Sequence, residues 1–249
     1  MTGEARACEN ARSRAEMTFV PLQPPDLPPI RARGTPRCRG CGLPRSMCLC
    51  GALPRLAVRT RVVLLTHRIE RTRSTNTGRL VARLLEGAEV RVRGEIAPRA
   101  RPPLPEGRRL VLYPSPGARA LSPDDARGGP VVLLVPDGNW NQARRVVHRD
   151  ADAQGAEPVA LPQGAPSRYG LRRAPHEGAL STLEAVARAL GLLEGAEVER
   201  RMMEAFDVWV HRARCVRLTG KLTEGAAAPG AEDGAEALVA REVDGAESG

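Results

Sequence analysis

Aromatic residues are scarce in this 249-residue chain, with two each of Phe, Trp and Tyr, so its core must be built from aliphatic side chains. Long apolar runs are missing as well. The best stretch, Val131 to Val135, is five residues against the ~20 that a membrane-spanning helix needs, which excludes that class. Lysine is nearly absent: Lys221 is the only one among 38 basic residues, so arginine carries the positive charge. No G-x-S-x-G, H-E-x-x-H, G-x-G-x-x-G or P-loop pattern occurs, and His148, His176 and His211 lack Ser/His/Asp or metal-ligand spacing with partners. Common hydrolases and dehydrogenases therefore lose support. His67 reads as a satisfied histidine at a strand end and is assigned no catalytic role. Residues 1–15 mix acids and bases without an apolar stretch, so no secretory signal is visible. A cytoplasmic, reducing setting is expected, without structural disulfides, membrane attachment or an obligate protein partner.

The charge is unevenly placed. Residues 31–75 hold eleven arginines and one acid, Glu70, for a net +10, whereas residues 224–249 hold seven acids and Arg241, for a net −6. A basic stretch of this kind suits phosphate backbones, because each guanidinium holds phosphate through two hydrogen bonds; a plain solvated surface is the other reading. Proline clusters at Pro21 to Pro29, fixing backbone angles and removing donors, so residues 1–36 read as a disordered leader. Residues 223–249, rich in Ala, Gly and acids, read as a disordered acidic tail. The intervening 37–222 form the folded unit, divided into a knuckle at 37–55 and a catalytic core at 56–222.

Within that core, β-branched apolar runs alternate with helical spacing. Strands are expected at 61–66, 90–92, 109–113 and 131–135, with helices at 77–85, 139–147, 180–193 and 198–210. Continuous apolar strands fit a mostly parallel α/β sheet covered on both faces, whose ligands bind at strand carboxyl ends.

Four cysteines, Cys38, Cys41, Cys48 and Cys50, form a C-x2-C-x6-C-x-C cluster with turns supplied by Gly40, Gly42 and Pro44. Four soft ligands this close suit a tetrahedral zinc ion, structural because no coordination position stays open; disulfides or unpaired thiols are the alternative. Cys8 and Cys215 read as bystanders.

Three polar segments stand at expected strand ends. Pro136 to Arg145 ends a strand in Asp137-Gly138 and starts a helix, with Asp137 placed to accept a proton or orient a substrate, Asn139 to cap and Trp140 to stack on a planar ring. A turn residue and a core aromatic are the blander readings of Asp137 and Trp140. Ser167 to Arg173 precedes Ser181 and Thr182, either of which can cap a helix with Glu184 in its first turn. His67 to Glu70 runs into Asn76 to Leu80, a helix start suited to an anion.

In shared order, these pieces resemble the DTW-domain family: the Cys38–Cys50 knuckle, Asn76 to Leu80, Tyr113-Pro114-Ser115, Asp137 to Trp140, Ser167 to Arg173 and Ser181 to Ala185. The resemblance covers roughly residues 37–215. The family's Asp-x-Thr-Trp reads Asp-Gly-Asn-Trp here, with Asn139 in place of threonine; hydrogen bonding and helix capping survive that exchange.

The resemblance implies a SPOUT-like, knotted α/β fold. It also implies transfer of the 3-amino-3-carboxypropyl group of S-adenosylmethionine to N3 of a tRNA uridine. Asp137 and Trp140 become the catalytic candidates. Ser115, Asn139, Tyr169, Arg172, Ser181 and Thr182 become the cofactor pocket, with Arg172 best suited to the carboxylate. Arg37, Arg39, Arg45, Arg71, Arg73, Arg79, Arg144 and Arg145 are expected on tRNA phosphates. A SPOUT-like methyltransferase and a non-catalytic zinc-containing RNA-binding protein are the rival readings.

Overall fold

A computed structural model describes residues 35–95, 101–174 and 176–222. The expected leader and tail, Cys8, and the arginines before residue 35 lie outside them, apart from residues 35 and 36. The elements in chain order are β1 (Arg61–His67), α1 (Arg68–Arg71), α2 (Gly78–Leu84), β2 (Glu89–Arg93), β3 (Arg108–Leu112), β4 (Arg119–Ala120), β5 (Val131–Asp137), α3 (Trp140–Arg149), β6 (Glu157–Ala160), α4 (Thr182–Glu194) and α5 (Ala196–Leu222). Short 3-10 turns occupy Arg45–Met47 and Pro123–Ala126. The six strands make one sheet in the order β2-β1-β5-β3-β6-β4, and every pairing is parallel. This is the mostly parallel α/β architecture expected.

Strand periodicity explains why both faces are dry. Val62, Leu64, Leu133 and Val135 point to one side, where α2, α4 and α5 supply Leu80, Leu183, Leu190, Phe206 and Trp209. Val63, Leu65, Val132 and Leu134 point to the other, where α3 contributes Val146. The knuckle is joined to the larger cluster, since Cys41, Leu43 and Leu49 are buried within it. Trp209 Nε1 donates to the Cys41 carbonyl at 2.7 Å, and Arg212 reaches the Met47 carbonyl at 3.2 Å.

The observed elements match the expected ones with small shifts at their ends, except that α5 continues to residue 222. Strands β4 and β6 were not expected, nor was the single-turn helix α1, which stands where a polar loop was expected. β6 is four residues long with Pro158 inside, and β4 has two residues, so neither carries a readable apolar run. Among the described residues, no helix is long and apolar enough to cross a membrane.

Candidate active site

The carboxyl ends of β1 and β5 are adjacent, and their register pairs Thr66 with Asp137. Asp137 is 3% exposed and accepts three hydrogen bonds. Thr66 Oγ1 and Asn76 Nδ2 donate to Oδ2 at 3.0 and 2.8 Å, and Thr182 Oγ1 donates to Oδ1 at 2.7 Å. The carboxylate thus ties the end of β1, the loop before α2 and the first residue of α4 to the end of β5. It lies against the start of α2, so close that a Cβ on Gly78 would come within 2.7 Å of Oδ2. The anion suited to that helix start is a side chain of the protein itself. Burial pushes the Asp137 carboxyl above its ordinary value, opposed by the hydrogen bonds from Thr182, Asn76 and Thr66. Oδ2 has both lone pairs engaged, while Oδ1 keeps one for a ligand.

Two further buried carboxylates organise the surrounding loops. Glu184, 1% exposed, accepts from Ser167 Oγ at 2.8 Å, Arg168 N at 2.7 Å and Ser181 N at 2.8 Å. Ser181 in turn caps α4 through Glu184 N, so the two polar segments around residues 170 and 182 are fastened by one side chain. Glu70, also 1% exposed, accepts from Arg172 Nη1 at 2.7 Å and lies 3.2 Å from Arg73 Nε. Arg172 Nε donates to Thr75 Oγ1 at 2.9 Å.

A cavity of about 620 Å³ opens between these groups, lined by Glu70, Thr75, Asn76, Asp137, Asn139, Trp140, Tyr169, Arg172, Ser181 and Thr182 among others. A second, of about 750 Å³, shares Gly138, Trp140, Leu180, Ser181 and Thr182 with it and extends over the ends of β3 and β6. Its wall is mostly apolar, with Tyr113, Leu161, Pro166 and His176. Trp140 stands between Tyr113 and His176, at ring centroid separations of 5.7 and 4.5 Å.

Most residues expected in the pocket therefore line one cavity. Asn139 also caps α3 as expected, accepting from Gln142 N at 2.9 Å. The Tyr169 hydroxyl is already engaged by the Thr75 carbonyl at 2.5 Å, and its ring stacks on Phe206 and Trp209. Ser115 lines neither cavity: it turns the loop after β3, its carbonyl accepting from Ala118 N at 2.9 Å, while Tyr113 and Pro114 form the wall.

Arg79 requires a correction. Expected on RNA phosphate, it is 5% exposed, and its guanidinium donates to the carbonyls of Arg39 and Arg71. Its backbone N–H donates to Asn76 Oδ1 at 2.9 Å, the same side chain whose amide holds Asp137. Arg79 clamps the knuckle to the site and has no face for phosphate. Arg39, Arg45, Arg73, Arg144 and Arg145 are exposed, and Arg37 and Arg71 are half-buried. Arg37 donates to the Gly42 carbonyl at 3.1 Å, and Arg71 pairs with Glu95 at 3.6 Å. Thr66, Asn76, Glu70 and Glu184 are the members that sequence reasoning did not assign to the site.

In the knuckle, the sulfurs of Cys38, Cys41, Cys48 and Cys50 lie within 4.8 Å of one another, with Cys38–Cys50 at 3.6 Å and Cys41–Cys48 at 3.8 Å. Zinc with ~2.3 Å bonds spaces tetrahedral sulfurs by about 3.8 Å, whereas a disulfide needs about 2.05 Å. Hydrogen bonding from Cys50 pulls the Cys41 thiol down to about 5, while burial pushes Cys48 up to about 11. This group can hold a metal ion.

The chain is 34% identical over 167 residues to a tRNA-uridine aminocarboxypropyltransferase 2 of Drosophila melanogaster, a match covering 64% of this chain and 66% of that protein. It is 30% identical over 181 residues to the protein of that name in Macaca fascicularis, covering 68% and 60%. The chain thus spans less than two thirds of either relative. A structure of the SAM-dependent rRNA:acp-transferase Tsr3 from Vulcanisaeta distributa aligns with a TM-score of 0.40 at 20% identity, covering 69% of this chain and 82% of that one. Residues 35–214 match the DTW domain model, and the chain belongs to the DTW-domain family.

Proposed function

We propose that this protein transfers the 3-amino-3-carboxypropyl group of S-adenosylmethionine to N3 of a uridine in tRNA, releasing methylthioadenosine. The observation that carries this reading is the position of Asp137, a buried carboxylate with one free lone pair, on the wall of the cavity that contains Arg172 and next to the adjoining, more apolar cavity flanked by aromatic rings. The names of the two relatives support it.

Both cavities fit the donor: a flat, largely apolar nucleoside suits the space beside Trp140, Tyr113 and His176, and a charged amino-acid chain suits the space beside Arg172. When bound, S-adenosylmethionine supplies an electrophilic carbon next to a sulfonium. Asp137 Oδ1 accepts the N3 proton as N3 bonds to that carbon and the carbon–sulfur bond breaks, its electron pair leaving on sulfur. Trp140 packs against the uracil or the adenine. Ser181 and Thr182 hold the junction of the two cavities, where the reacting atoms must meet, and Asn139 lines the cavity that contains Arg172.

The four cysteines suit a structural zinc ion that would tie the knuckle at 37–55 to the core at 56–222. Arg37, Arg39, Arg45, Arg71, Arg73, Arg144 and Arg145 are the tRNA phosphate contacts in this reading, and the setting is the cytoplasm. The test is incubation with S-adenosylmethionine and unmodified tRNA, followed by mass spectrometry of nucleosides and by-product. Aminocarboxypropyluridine with methylthioadenosine is expected. A methylated nucleoside with adenosylhomocysteine would replace the reading by a methyltransferase, and tRNA binding without product would leave only an RNA-binding protein.

A further inference from the structure

Arginines surround the knuckle, and one of them differs in what it faces. Arg37, Arg79 and Arg212 donate to knuckle carbonyls, those of Gly42, Arg39 and Met47. Arg83, in the last turn of α2, faces a sulfur instead. A Cβ on Gly40 would lie 2.6 Å from Arg83 Nε, 2.6 Å from Arg83 Nη2 and 2.6 Å from Cys50 Sγ. At most twice that distance therefore separates the guanidinium from the sulfur, and any side chain at position 40 would fill the space beside both. Nε and Nη2 are the edge of a guanidinium that donates two parallel hydrogen bonds. Arg83 Nε is buried without a hydrogen-bond partner among the described residues, which carries a desolvation penalty unless an acceptor completes it. Arg55 Nη1 pins the backbone behind it, donating to the Arg83 carbonyl at 2.9 Å.

A divalent ion held by four thiolates carries two surplus negative charges, and such charge is costly to bury unless the opposite sign faces it. Helix α2 supplies two positive groups one turn apart. Arg79 is buried, and its Nε also lacks a partner among the described residues. Burial lowers the Arg79 pKa, and the charges of Asp137, Cys38 and Cys41 oppose it. We infer that Arg83 is the counter-charge of the metal centre, its Nε–Nη2 edge lying against the Cys50 thiolate, with Arg79 supplying the second positive charge on the side of Cys38 and Cys41. Arg83 lines neither cavity and is a positioning residue for the metal ion. This deepens the reading of a structural zinc ion and rests on it. Helix α2 then meets Asp137 at its first turn and the metal centre at its last.

Zinc and cobalt(II), each loaded into the metal-free full-length chain, are the probes. Zinc affinity is read by competition with a chromogenic chelator. Cobalt is read by its sulfur-to-metal charge-transfer band, whose energy falls when a cation facing the thiolate is removed. Arg83→Met, which keeps an apolar stem without its charge, should weaken zinc binding roughly 10–100-fold and move the cobalt band to longer wavelength. Arg83→Lys, which restores the charge, should bind zinc more tightly than Arg83→Met and return the band toward its native position. Arg83→Gln, polar and uncharged, gives the same reading as Arg83→Met should that variant not fold. Native zinc affinity in the uncharged variants, with an unmoved cobalt band, would overturn the counter-charge and leave the structural zinc standing. Equal weakening by Arg83→Lys and Arg83→Met would mean that Arg83 merely packs, and would overturn it likewise. A native chain that takes up neither ion would overturn the zinc reading and this inference together.

Discussion

Replacing Asp137 by asparagine separates chemistry from scaffolding, because the structure fixes how the amide must sit. Asn76 Nδ2 is a donor only and faces Oδ2, so the new carbonyl oxygen has to take that position. The new NH2 then faces Thr182, whose hydroxyl rotates from donating to accepting. All three partners stay satisfied, but each bond falls from the charged to the neutral class, a loss of about 1 kcal/mol apiece or about 3 kcal/mol together. Against this stands relief from holding an ionised carboxylate at 3% exposure, which costs several kcal/mol. The two effects nearly cancel, so the variant should fold and melt close to the native protein. Turnover should fall by roughly 10²–10⁴, the usual worth of a positioned base, while donor affinity changes little.

The pH dependence supplies a second, signed readout. Burial raises the Asp137 pKa above its ordinary 3.8, so between that value and the raised one the folded state binds a proton that the unfolded chain releases. Stability therefore falls as pH rises through this window, and turnover rises through the same window as the base ionises. Asp137→Asn should abolish that contribution to the stability slope. Calorimetric unfolding across pH and single-turnover assays with labelled donor measure both. An asparagine variant with full turnover would refute the base assignment, and one with the native stability slope would refute the assigned source of that slope.

Gly78→Ala places a methyl group within 2.7–3.0 Å of the Asp137 carboxylate; it should cost about 1–3 kcal/mol in urea unfolding and at least tenfold in turnover. Arg79→Met, which unfastens the knuckle from Asn76, should cost about 2–4 kcal/mol yet leave the slope of log tRNA affinity against log salt unchanged. Arg144→Ala and Arg145→Ala should each reduce that slope by about 1 without moving the melting temperature. Metal analysis should find one zinc per chain, and Cys38→Ser should lose it with a drop in melting temperature that a chelator reproduces on the native protein.

The parallel sheet was legible because Val131 to Val135 and Arg61 to Thr66 are uninterrupted apolar runs, and an all-parallel sheet buries its strands on both faces. The cysteine cluster was legible because four ligands within thirteen residues leave little freedom for where their sulfurs meet. Strands β4 and β6 were not, because two and four residues carry too little pattern and Pro158 argues against a strand. Arg79 misled for a different reason. Arg79 follows directly on a stretch with eleven arginines, where composition gives it the same prior for phosphate as its neighbours, and only the fold shows that it faces two backbone carbonyls.

The buried carboxylates show how the polar motifs divide their work. Each segment holds one residue that fastens the backbone and another that faces the cavity: Ser181 caps α4 while Thr182 reaches Asp137, and Ser167 binds Glu184 while Arg172 lines the pocket. Glu70 was visible in the sequence as the lone acid of a basic stretch and the end of the His67 to Glu70 segment, but nothing there gave its own side chain a role. A single acid at 1% exposure amid arginines is costly to bury unless its charge is used, and here it is used twice, to fix Arg172 through one oxygen and to pair with Arg73 through the other. Its rarity was the available signal: where one charge sign dominates a segment, the exception is the residue whose environment must be built for it.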